Sequence, residues 1–422
     1  MTGLKKRKLF NKVINLIEDK EIIVIHGSRQ VGKTSLLEYT MENYLRPKIS
    51  RNNIFYFDLE DFRLLDLCNT SPEEVVLYLK AKGADFDKKI YLFIDEIQYL
   101  NNPSGFLKLF YDRHKEKIKL IVSGSSSFLI KKKFKDSLAG RILDLELFTL
   151  DFDEFLEFKG LNYNITGPPS KILQNELSKL YEEFVIFGGY PAIVLEDTVE
   201  KKEIKLKQII NTYLKKDIRD LAEIREINKF NDLIKLLASQ TGNLLNILEV
   251  SNTLGIAKQT LQDYIFLLEN TYVIRRLRPF HKNIRSELSK MPKIFFEDTG
   301  LANLLTNKTF SSNIDGNLLE TSIYSQVRKN LSIEDIYFWR TSKKQEVDFV
   351  IDYVDRHKRR NLSAIEVKNV FLNKYMVNLK YFKREYKEAI GYLCCLNQKE
   401  PLKYKNLNII YPWQIPHILN LS

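Results

Sequence analysis

The chain has 422 residues, 44% hydrophobic and 28% charged, which excludes a disordered polymer and calls for two or three separate cores. Its formal net charge of +12 favours phosphate backbones or anionic surfaces as partners without choosing between them. Only three cysteines are present and no CxxC pair, which argues against zinc; with no apolar run resembling a signal peptide or a membrane span, a cytoplasmic protein with no membrane partner is expected.

Residues 21–27 form a short run rich in β-branched side chains and read as a strand. A glycine loop follows, then a helical stretch over 33–43. Strand-like runs at 53–60, 89–97, 117–124 and 142–149 alternate with helical spacing at 72–82 and 104–116. Such alternation predicts an α/β unit with a mostly parallel sheet covered on both faces. From Phe152 the spacing turns helical, over 170–186, 201–220 and 228–240, with a sharp break at Gly188-Gly189-Tyr190-Pro191. Residues 247–253 and 258–269 read as two helices joined at Gly255, and the strand-like run VIRRLRPF follows as a wing; together they suggest a winged helix-turn-helix. Beyond Lys293 come a helix over 317–329 and three strand-like runs, IYFWR, EVDFVI and SAIEVK. The expected divisions are 1–150, 151–240, 241–285 and 290–422.

The run Gly27-Ser28-Arg29-Gln30-Val31-Gly32-Lys33-Thr34, followed by Ser35, matches G-x-x-x-x-G-K-[ST] between a strand and a helix. In that P-loop context backbone amides and the helix N-terminus cradle phosphates, Lys33 reaches the β- and γ-oxygens, and the Thr34 hydroxyl ligates Mg²⁺. The apolar run Leu92-Phe93-Ile94 ends on Asp95 and Glu96. Asp95 is expected to hold Mg²⁺ and Glu96 to polarise the attacking water of ATP hydrolysis. Ser123 ends the next strand in Ser123-Gly124-Ser125-Ser126 and is a candidate γ-phosphate sensor, or equally a helix cap. Arg141 is a candidate arginine finger for a neighbouring subunit in a homo-oligomer such as a ring hexamer.

These residues resemble a family of archaeal and bacterial AAA-type ATPases, whose loop reads G-x-R-Q-x-G-K-T and whose acid motif resembles Phe93–Gln98. Phe187-Gly188-Gly189-Tyr190-Pro191 is similar to a segment that follows the core in that family. The C-terminal part resembles PD-(D/E)xK nucleases, a restriction-endonuclease-like α/β fold. There the resemblance implies a divalent-metal site from Glu320, Asp348 and Glu366, with Lys368 steadying the hydroxide or scissile phosphate. Val347 rather than proline precedes Asp348, a departure from the pattern.

In the helix-turn-helix, Lys258 and Gln259 begin the second helix, and Arg275, Arg276 and Arg278 crowd the wing. Cations there suit phosphates and glutamine suits base edges, so DNA, including branched DNA, is the expected partner. The same parts would also serve a nucleotide-dependent signalling or defence switch that docks a protein and cleaves nothing.

Overall fold

A computed structural model describes residues 3–124, 138–167, 169–212, 224, 226–281, 290–307, 309–355, 358–398, 403–404 and 407–419. The chain divides into two compact units, Met1–Phe148 and Thr149–Ser422.

The first unit is built on β1 (Ile22–His26), β2 (Ile54–Asp58), β3 (Ile90–Asp95), β4 (Ile118–Gly124) and β5 (Ile142–Glu146). All pair in parallel, in the order β2-β3-β4-β1-β5. β1, β3 and β4 are buried along their whole length, which is why their sequences read as unbroken apolar runs. The glycine loop leaves β1 and opens α1 (Lys33–Thr40); α2 (Pro103–His114) starts on a proline with Asn102 accepting from the Gly105 amide. Strand β1 sits between β4 and β5, so the carboxyl ends of β1 and β3 open on the crevice where the strand order reverses. The sequence missed the helix Phe62–Thr70, which packs Leu64, Leu65, Leu67 and Cys68 against the core.

In the second unit, α3 (Lys171–Phe187) begins with Ser170 capping the Leu173 amide. Next come α4 (Ile227–Ser239), α5 (Ile247–Leu254), α6 (Lys258–Asn270), α7 (Thr299–Asn307), α8 (Gly316–Arg328) and α9 (Met376–Glu385). The strands are β6 (Ile274–Pro279), β7 (Lys293–Phe296), β8 (Ile336–Arg340), β9 (Glu346–Val354), β10 (Arg360–Val370), β11 (Ile390–Asn397), β12 (Lys403–Tyr404) and β13 (Leu407–Ile410). They form one sheet, β12-β13-β11-β10-β9-β8-β6-β7. Residues 241–285 and 290–422, expected to be separate domains, share this sheet: β6 pairs antiparallel with β7 and parallel with β8. α5 ends on Gly255 in the left-handed region (φ 59°), as the expected turn requires, and Leu244 bridges Lys293. Sequence reading also missed α9 and β11; the latter buries the adjacent Cys394 and Cys395.

One buried carboxylate ties distant segments of this unit together. Asp298 accepts from the Gly189 amide at 2.8 Å and from the Leu301 amide of α7 at 3.2 Å. The Gly189 carbonyl accepts from the Leu150 amide, and the Leu150 carbonyl from the Lys329 ammonium at 2.7 Å. Burial pushes the Asp298 carboxyl up against the opposing pull of Lys329, and burial pulls the Lys329 ammonium down. Gly188 has φ +77°, and a Cβ there would lie 2.1 Å from Asp298 Oδ1. The glycine pair therefore serves the fold, by admitting this carboxylate. Gly188→Ala is expected to lower stability by about 2–3 kcal/mol in urea unfolding; a loss near zero would show that Asp298 moves aside freely.

Candidate functional site

The loop between β1 and α1 meets the requirements of a phosphate cradle. A Cβ on Gly27 would fall 2.0 Å from the Leu147 carbonyl oxygen, and Gly32 has φ +95°. Gln30 also takes a positive φ of 62°, bending the loop through residues 28–31. Val31 and Ser28 are buried, whereas Thr34 and Ser35 are exposed at the first turn of α1. The Lys33 ammonium turns back into the loop and donates to the Gly27 carbonyl at 3.1 Å and the Ser28 carbonyl at 2.9 Å. Burial pulls it down to about 8, against the opposing charges of Glu96 and Asp95.

Asp95 is 2% exposed at the end of β3 and gathers three hydroxyls. Its Oδ2 accepts from Thr34 Oγ1 at 2.6 Å and from the Tyr56 hydroxyl at 2.9 Å; its Oδ1 accepts from Ser123 Oγ. Thr34 and Asp95, 61 residues apart in sequence, thus face each other, two oxygen-bearing side chains of the kind a hard divalent cation takes. Glu96 follows in the left-handed region (φ 56°) and its carboxylate accepts from Gln98 Nε2. Non-glycine residues rarely adopt that conformation, and it turns the Glu96 side chain away from the strand's own alternation.

Two residues of this site escaped sequence reading. Tyr56 stands on β2 opposite Phe93, two positions before the Asp58–Asp95 pair, so only the strand register reveals it. Arg7 is 4% exposed and donates to the Val31 carbonyl at 2.6 Å and the Phe148 carbonyl at 2.8 Å, bracing the loop from the N-terminal segment; nothing local in the sequence marks it. Arg141, expected as a finger reaching a neighbouring subunit, makes a two-pronged ion pair with Asp112 of α2, at 2.9 and 3.3 Å. Ser125 and Ser126 lie outside the described residues.

The C-terminal acids also converge. The Lys368 ammonium lies 3.1 Å from Asp348 Oδ2 and 2.9 Å from Glu366 Oε1. Lys293 lies 3.5 Å from Glu320 Oε2 and 2.6 Å from Glu346 Oε1. Burial, then the Asp348 charge, pushes both Glu320 and Glu366 up. Burial pulls on Lys293 and Lys368 too, but the surrounding carboxylates win and hold both above the ordinary lysine value. Each acid expected to ligate a metal here is thus already close to an ammonium. Among the described residues no group of three His, Cys, Asp or Glu is arranged to hold a metal, so Glu320, Asp348 and Glu366 do not fit one in this arrangement.

On α6 and β6, Lys258, Gln259 and Arg278 are exposed, and Gln259 donates to Asp263. Arg276 forms a bidentate pair with Glu269, and Arg275 lies 3.5 Å from Glu297, so both serve the fold's internal ion pairs. Among the described residues no helix is long and apolar enough to cross a membrane.

Nucleotide affinity should carry the titration of Lys33. A triphosphate favours the charged ammonium, so above about pH 8 binding must take up a proton. Affinity is expected to weaken as pH rises through 8, by about tenfold per unit at the alkaline end, in fluorescent-nucleotide titrations. A flat profile from pH 7 to 10 would remove Lys33 from the phosphates.

Three segments of the chain match known families. Residues 19–156 match the family described as "AAA domain", while residues 178–312 and 315–415 match two domains of unknown function, DUF8612 and DUF4143. An uncharacterized protein of Methanocaldococcus jannaschii, MJ1544, is 29% identical over 399 residues, covering 89% of this chain and 85% of the relative. An uncharacterized protein of Haemophilus influenzae is 25% identical over 358 residues, covering 83% and 84%. Among solved structures, the Walker-type ATPase PABY2304 of Pyrococcus abyssi overlaps 72% of this chain and 96% of its own, at 16% identity and a TM-score of 0.43. Over residues 19–156 the chain is thus similar to AAA domains, and there it folds as an α/β unit with a five-stranded parallel sheet.

Proposed function

We propose that this chain binds and hydrolyses ATP with Mg²⁺ at the β1–α1 loop, and that its second unit grips DNA through the helix-turn-helix of α5 and α6. The observation that carries the ATP site is the 2.6 Å contact of Thr34 with Asp95, beside a lysine lodged in the phosphate loop. Bound Mg²⁺ would neutralise charge on the β- and γ-phosphates. Thr34 and Asp95 would hold that cation, Lys33 would reach the phosphate oxygens from within the loop, and Glu96 would orient the attacking water. Ser123, donating to Asp95, fixes the carboxylate from the neighbouring strand and suits the sensor role better than the cap.

The order of elements, α4, the Leu244 bridge, α5, α6, β6 and β7, supports the winged helix-turn-helix reading. Lys258, Gln259 and Arg278 are its exposed candidates for DNA contact. The order α8, β8, β9, β10, α9, β11 likewise supports the nuclease-like reading of the last segment, as a scaffold that binds without cleaving. Two observations favour a protein as the alternative partner: the paired wing arginines, and the exposed Leu248 and Phe266 on the same two helices.

Glu96→Gln is expected to retain ATP affinity while turnover falls by about 100-fold or more, read by nucleotide binding and phosphate release. Normal turnover would take the water-orienting role from Glu96. In mobility shifts with linear, forked and four-way DNA, affinity should fall steeply between 50 and 200 mM salt, by ~10-fold or more. Absence of any shift would favour the protein-docking switch. Because Arg141 is held by Asp112, Arg141→Ala should leave ATP turnover within about twofold. A large loss that scales with protein concentration would restore it as a finger in a homo-oligomer.

A further inference from the structure

In the second unit, β6 and β8 pair in parallel at Arg278–Tyr337 and Pro279–Phe338. Upstream of that contact a cleft of about 660 Å³ lies between Arg275 and Arg276 of β6 and the turn Ile333–Asp335 that leads into β8. Part of its lining is apolar: Pro292, Ile333, Ile336 and the Tyr337 ring, which is held by an edge contact with Phe280 at 5.5 Å between ring centroids. The rest is charged. Arg276 is engaged with Glu269 and Arg275 with Glu297. Two cations of the lining remain, Arg278 and Lys290, both exposed and neither in an ion pair among the described residues. One acid, Glu334, is exposed on the turn.

We propose that this cleft binds one nucleotide unit, with its phosphate against Arg278 and Lys290 and its base against Pro292, Ile333 and Tyr337. A cleft of this size takes a small ligand rather than a surface, and its lining asks for one that is part apolar ring and part anion. A duplex keeps its bases stacked inside, so only an unpaired or free nucleotide can enter. Glu334 repels a bare phosphate but accepts from a base amino group, which suits cytosine better than thymine. The nucleotide can belong to an unpaired DNA strand or be free in solution. The strand form rests on the DNA reading above, and the free form does not.

The test titrates the full chain, at about 150 mM salt, with a fluorescent deoxycytidine decamer, a blunt duplex and dCMP alone. The decamer should bind, and Lys290→Glu should weaken it at least tenfold while duplex affinity stays within about threefold. Ile333→Asp, which places a second acid in the apolar lining, should act in the same direction. Lys290 is exposed, so its variant is expected to fold, with thermal melting as the check. Decamer binding that ignores Lys290→Glu in a folded protein overturns the proposal. Duplex binding with neither decamer nor dCMP bound also overturns it and leaves the DNA reading standing. Binding of dCMP that is lost in Lys290→Glu, with no DNA of either form bound, supports the cleft as a free-nucleotide site and removes the DNA reading. Binding of none of the three overturns both.

Discussion

The first unit depends on satisfying one carboxylate in a buried position. A charged oxygen pair removed from water is tolerable only when its lone pairs are occupied, and Asp95 meets that condition with hydroxyls from β2, β4 and α1. Each hydroxyl arrives on a different element, so the carboxylate also pins the register of three neighbouring strands and the start of the loop helix. Burial of Lys33 nearby follows the same logic: its ammonium is satisfied by loop carbonyls until a better anion arrives. The cradle is thus held in a shape close to the one a phosphate needs, which reduces the ordering required on binding.

The second unit repeats the principle with a different purpose. Asp298 caps α7, takes the Gly189 amide, and balances Lys329, whose ammonium closes on the Leu150 carbonyl. Here the buried charges fix where four chain segments cross. Removing one partner of such a set leaves an uncompensated charge, so it acts as a specificity device more than as a source of stability.

Much of the nucleotide site was legible because its chemistry demands fixed local order: a glycine loop after a buried strand, and acids at the end of another. Gly27–Thr34 and Asp95-Glu96 announce themselves that way. Tyr56 and Arg7 do not, since their roles arise from strand register and from a contact across 141 residues. The helices Ile247–Leu254 and Lys258–Asn270 were legible through Gly255 and their flanking periodicity. The fate of Arg275 and Arg276 was not, because a basic run reads alike whether its partners are phosphates or Glu297 and Glu269. Gly188-Gly189 was seen as a chain break, yet its reason lies 109 residues away at Asp298.

The pairing of Arg278 with Tyr337 and of Pro279 with Phe338 joins what looked like two modules into one hydrogen-bonded ribbon. A strand shared in this way transmits displacement without a hinge, because its ladder cannot shear by less than a full residue step. Severing the chain between the wing and the last segment would therefore bare the edge of β8, whose IYFWR sequence is apolar and aromatic. An excised C-terminal fragment would present a template for self-association where the intact chain has a neighbour.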